Sequence, residues 1–160
     1  MRTIPPPTTA HRRVIPRESY RAAILAEMAT GNVEAARLFA EAITRGDRQA
    51  AVGVCHPQIE FHSVLGISGR AYLGHDGIRQ YFDDVESAWE HWRVEVERIV
   101  EGEDGRVAIV MTMHARGKGS GATLAERTAH IWTLRRGRLA RNQPYRQPEE
   151  ALRELGLSIR

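Results

Sequence analysis

Residues 69–82, GRAYLGHDGIRQYF, decide how this chain is read. A short extended piece, 70–73, runs into Gly74, and His75 and Asp76 offer side-chain atoms to open a helix. Ile78, Tyr81 and Phe82 then recur at three- and four-residue spacing. That is one apolar helical face, and the pattern carries on to about Trp89.

Upstream of this segment the chain reads as helices. Residues 17–29 predict a helix with Tyr20, Ile24 and Met28 on one face, ended by Gly31. Asn32 then caps a second helix whose apolar stripe is Val33, Ala36, Leu38, Phe39, Ala42 and Ile43. Gly46 stops it, and Asp47 caps a short third helix that ends before Pro57. Residues 59–63 read as a strand. Downstream the period changes from 3.6 to 2. Trp92, Val94 and Val96 alternate with Arg93, Glu95 and Glu97, and long strands are predicted over 92–100, 106–116, 124–135 and 139–145. Glycine-rich turns separate them: EGEDG at 101–105, GKGSG at 117–121 and RG at 136–137. Pro148 opens a terminal helix that Gly156 closes. The proline-rich residues 1–16 predict a loosely attached arm.

The chain has 160 residues, enough for one domain. Its 42% hydrophobic and 27% charged residues are those of an ordinary soluble globule. No apolar run approaches the roughly 20 residues of a membrane span, and no secretory signal is expected at the N-terminus. The single Cys55 excludes an internal disulfide and fits a reducing cytoplasm. A net charge of +3 invites a nucleic-acid partner, but the arginines are interleaved with acids, as in RVEVER at 93–98. The one concentrated group, Arg135, Arg136, Arg138 and Arg141, surrounds a hairpin turn, where a solvated turn explains it. GKGSG joins two strands, so it is not a nucleotide loop, and no cofactor is expected. His56, His62, His114 and His130 lack the convergent spacing of a metal site.

A glycine-opened helix between an upstream helical pair and a run of long hairpin strands resembles the SnoaL-like branch of the nuclear transport factor 2-like superfamily. The resemblance covers about residues 32–157 and makes the 17–31 helix an addition to the family's minimum. It implies an α+β cone, in which a curved, mostly antiparallel sheet wraps around the N-terminal helices. It also implies a pocket for a small, largely apolar organic ligand on the concave face. A homodimer is expected through the convex face, where Ala108, Val110, Ala129 and Ile131 would otherwise meet water.

Alternation puts Glu126, Thr128, His130, Trp132 and Leu134 on one face of their strand, and Val107, Ile109, Met111, Met113 and Ala115 on one face of the preceding strand. Periodicity alone leaves open which face points inward. Matching to the ketosteroid isomerase pattern implies an oxyanion-binding position at His130, pocket apolar positions at Trp132 and Leu134 and a phenol position at Phe39. It also implies a pocket aromatic at Tyr81 and a general base at either His62 or Ser63. None of the five aspartates falls on a predicted strand, so the isomerase acid pair and the cyclase aspartate have no counterpart.

What remains is a histidine couple, His62 and His130, able to pass protons near neutrality. Phe39, Ser63, Tyr81, Met111, Met113, Glu126, Trp132, Asn142 and Tyr145 are the candidate ligand-binding residues. Asn142 and Tyr145 fall on opposite faces of the last strand. Two readings follow: a cofactor-independent isomerase, dehydratase or cyclase using the two histidines, or a non-catalytic module that binds a hydrophobic ligand or dimerises.

Overall fold

The computed structural model describes residues 17–64 and 70–157, with side chains from residue 31 onward. The 1–16 arm lies outside the described residues. Helices α1 (Arg17–Arg45) and α2 (Arg48–Gly53) lead into β1 (Cys55–Phe61), β2 (Tyr72–Leu73) and helix α3 (Gly74–Ala88). Four long strands follow, β3 (Trp89–Glu101), β4 (Val107–Gly117), β5 (Thr123–Arg135) and β6 (Arg138–Tyr145), and the chain turns into α4 (Pro148–Glu154). They form one six-stranded sheet in the order β2-β1-β6-β5-β4-β3, antiparallel except where β1 runs beside β6. The sheet is curved and unclosed. Register shifts interrupt the ladders between Val96 and Arg98 and between Thr133 and Leu134, and such bulges bend and twist strands.

Two expected helix boundaries differ. Gly31 does not end the first helix: α1 runs through it for 29 residues. Gly31 is not among the glycines with positive φ, and an interior glycine costs a helix only about 1 kcal/mol. Asn32 does not cap; its Nδ2 donates to Glu101 Oε1 at 3.2 Å, tying α1 to the β3–β4 turn. Gly46, at φ +69°, does stop the helix, and Asp47 Oδ1 accepts from Ala50 N at 3.0 Å to start α2. At α3 the N-cap is Leu73, with no side-chain cap. His75 Nε2 instead meets the Cys55 carbonyl at 2.9 Å, and Asp76 pairs with Arg79. Gly77 is required for packing, because a Cβ there would lie 2.7 Å from the Tyr72 carbonyl carbon.

The main core lies on the concave side, where Ala36, Phe39, Phe61, Ile78, Tyr81, Val107, Ile109 and Trp132 pack together. This settles the open question of faces: the Thr128–His130–Trp132 side of β5 and the Val107–Ile109–Met111 side of β4 point to the helices. The convex side holds a second cluster, in which Ala108, Val110, Ala129 and Ile131 pack against Ala151 and Leu152 of α4. The expectation that these four residues would need a partner subunit is therefore corrected. All four are at most 3% exposed within one chain, because Pro148 starts a helix that folds back over them.

Candidate functional site

Inside the cone a cavity lies between α1, α3 and the concave faces of β3, β4 and β5. Phe39, Phe61, Tyr81, Met111, Met113 and Trp132 form most of its wall, with Ile43, Trp92 and Val94 at its half-buried rim. The cavity volume is about 30 Å³, room for one or two waters, whereas metabolite pockets run to about 300–1,000 Å³. Of the lining side chains, the unbranched Met111 and Met113 are the ones best able to change shape.

The aromatic wall is a connected set of rings. Phe61 packs edge-on to Tyr81 at 4.7 Å between centroids and stacks on Trp132 at 5.9 Å, while Phe39 meets Trp132 edge-on at 5.2 Å. Such contacts add to the area buried and hold the wall in one arrangement. Burial pushes the Tyr81 phenol well above its ordinary pKa, so it stays protonated at neutral pH.

An imidazole also interrupts this wall. His130 is 5% exposed and lines the cavity. Burial lowers its pKa to about 4, leaving the imidazole neutral at pH 7. Its Nδ1 lies 2.9 Å from Asn142 Nδ2, and its Nε2 has no protein partner. Asn142 is 1% exposed and is held by the backbone of His62: Oδ1 accepts from His62 N at 2.7 Å and Nδ2 donates to His62 O at 2.8 Å. The carboxamide stands in for a strand residue just past the end of β1. The indole Nε1 of Trp92, at the rim, is also buried without a partner.

The sequence candidates divide accordingly. Phe39, Tyr81, Met111, Met113, His130 and Trp132 come together around the cavity. His62 and Ser63 do not line it. β1 sends Ile59 and Phe61 inward, so His62 has the wrong parity, and its Nε2 pairs with Glu60 Oε1 at 3.1 Å. Ser63 lies beyond the strand's last residue. Glu126, register partner of Met113, is half-buried and is not among the lining residues. Tyr145 packs on the convex side against the α4 cluster. Asn142 stands behind His130 and not at the cavity wall. Phe61 was missed, although the alternation of Ile59, Glu60, Phe61 and His62 carried its signal. Among the described residues no group of three or more His, Cys, Asp or Glu could hold a metal ion, and no helix is long and apolar enough to cross a membrane.

This geometry fits the comparisons with known proteins. The SnoaL-like domain family matches residues 35–142, well over half of the chain, and the protein belongs to that family. Similar solved structures include TerC co-crystallised with polyporic acid, at 24% identity and TM-score 0.64 over 78% of this chain and 97% of that one. A putative polyketide cyclase from Pseudomonas putida is similar at 17% identity and TM-score 0.61, over 71% and 90% of the two chains. Mycobacterium tuberculosis RV0760c, in complex with estradiol-17beta-hemisuccinate, shows 16% identity and TM-score 0.61 over 72% and 92%. At these identities the likeness is one of fold. No curated protein matches the chain.

Proposed function

We propose that this protein binds a small, largely apolar organic molecule inside the cone and anchors one acceptor oxygen of it on His130. The observation that carries this reading is the His130 Nε2, buried and unpartnered in a mostly apolar wall. A buried polar atom without a partner costs about 1–3 kcal/mol, and a ligand oxygen would remove that penalty. Among the described residues the only other unpartnered buried atom in the lining, Trp92 Nε1, is a donor by nature. A neutral imidazole donating to a carbonyl would stabilise charge developing on its oxygen, the electrostatic part of an isomerisation, dehydration or cyclisation. No carboxylate lines the cavity among the described residues, and His62 is turned to Glu60. Binding with polarisation is therefore favoured over the two-histidine proton relay.

Acetophenone and α-methylstyrene have nearly the same shape and differ by a carbonyl oxygen against a methylene. The native protein is expected to bind acetophenone about five- to tenfold more tightly, as one net hydrogen bond provides. Quenching of the Trp132 and Trp92 fluorescence reads the binding. In His130→Phe the preference should vanish while α-methylstyrene binding persists; equal affinities in the native protein would refute the anchor.

A cytoplasmic setting belongs to the same reading: Cys55 is a buried free thiol whose pKa burial raises to about 12, so it is inert. We also propose a homodimer, its interface on the charged strip of β3–β5 that carries Arg93, Glu95, Glu97 and Arg127, since α4 covers the apolar patch. Sedimentation at micromolar concentration is then expected to show a species of twice 18.0 kDa that dissociates in high salt. A single 18.0 kDa species at low salt would remove the dimer.

A further inference from the structure

We propose that Asn142 is a positioning residue that decides which nitrogen of His130 carries the proton, and so makes the cavity a site for ligands bearing an acceptor oxygen, such as a ketone, enolate or phenolate. The inference rests on the cavity being a ligand site only in its second half; the proton placement follows from the protein's own hydrogen bonds. A carboxamide has one accepting and one donating end. The His62 backbone presents a donor and an acceptor side by side, and Asn142 matches both, at 2.7 and 2.8 Å. Rotating the amide by half a turn would set N–H against N–H and oxygen against oxygen in a buried place, breaking two hydrogen bonds at once.

With that orientation held, Nδ2 has a second hydrogen to place, and it lies 2.9 Å from His130 Nδ1. Nδ1 must therefore accept. A neutral imidazole whose Nδ1 accepts carries its proton on Nε2. The nitrogen with no protein partner is thus an N–H donor, and the lone pair that a general base would use is already engaged by Asn142. Such a site offers a hydrogen bond to an oxygen and cannot take a proton from a ligand through Nε2. It selects against a molecule whose only polar group at that point is itself a donor, since two N–H or O–H groups would then face each other without water. The selection is made by a residue that does not line the cavity.

The test uses the full-length protein labelled with nitrogen-15 at histidine, without ligand. Long-range proton–nitrogen correlation at pH 7 separates the two neutral forms of an imidazole from each other and from the imidazolium. The native protein is expected to show His130 protonated at Nε2 alone. In Asn142→Asp an oxygen replaces the donating nitrogen facing Nδ1, and His130 should move to the Nδ1–H form or to the imidazolium. In Asn142→Ala, which leaves Nδ1 without its donor, the single form should give way to a mixture. If Asn142→Asp fails to fold, the native spectrum and the Ala variant still decide. A native His130 protonated at Nδ1, or an unchanged Nε2–H form in the folded variants, would overturn the assignment. Failure of acetophenone to bind would remove the ligand reading and leave this result untouched, so the two can fail separately. If both hold, Asn142→Ala should lower the acetophenone preference at least threefold.

Discussion

Lowering the pH from 7 to 4 is expected to cost this fold about 3 kcal/mol through His130 alone. The folded imidazole has its pKa lowered to about 4 from an ordinary 6.5, because burial disfavours its charged form. Above pH 6.5 neither state binds the proton and the stability is fully present. As the pH falls below 6.5, the unfolded chain takes up a proton that the folded chain refuses, so the unfolded state gains. The loss grows until about pH 4, where the folded state is protonated as well. Against a typical total of about 5–15 kcal/mol this is large.

Urea unfolding at pH 7, 5.5 and 4.5 measures it. The window is a clean one for the paired carboxylates. Glu97, Asp104 and Glu149 have their pKa values lowered, chiefly by hydrogen bonds, from values of 4.5, 3.8 and 4.5, so their contributions are lost mainly below it. His130→Phe should flatten the profile between pH 6.5 and 4.5. If the variant loses as much stability as the native protein over that range, His130 is not a buried neutral histidine.

Phe61→Ala is expected to be the most destabilising change at the site, by about 3–5 kcal/mol. Phe61 is 2% exposed, and its ring meets Phe39, Tyr72, Tyr81, His130 and Trp132 with centroids 4.7–6.4 Å apart. Removing it withdraws one ring from five neighbours at once, and the rigid sheet behind them can only partly collapse. Phe61→Leu should lose much less, since most of the volume is kept. The same deletion enlarges an apolar cavity that now holds about 30 Å³. Benzene or indole at millimolar concentration should therefore raise the thermal midpoint of Phe61→Ala more than that of the native protein. A loss under about 1 kcal/mol, or no rescue by either molecule, would mean that the ring cluster is not what holds the helices in the cone.

Much of the fold was legible because its determinants are local. Gly46 and Asp47 form a helix stop and a cap within two residues, and both act that way in the structure. The alternation along 106–116 and 124–135 needs only the pleat of a strand, and the turns between strands lie where glycines take positive φ. The order of helices and strands, and through it the family, followed from these signals.

Which face of β4 and β5 points inward was not local. Both faces are apolar, and the choice depended on helices lying on one side and on α4 covering the other. Gly31 looked like a helix end in sequence; the 29-residue α1, tied by Asn32 to Glu101, runs through it because tertiary contacts outweigh about 1 kcal/mol of propensity. The site shows the same division. Most of its aromatic wall could be named only through the family resemblance, which implied pocket positions at Phe39, Tyr81 and Trp132; spacing alone left the inward face of β5 open, and Phe61 was missed. The role of Asn142 could not, because its partner is the backbone of a residue 80 positions away, and backbone groups leave no mark in a sequence. What the sequence by itself determined is where the helices start, stop and give way to strands. Only the tertiary structure decided what His130 faces and that Asn142 stands behind it, because both depend on where β1 ends beside β6.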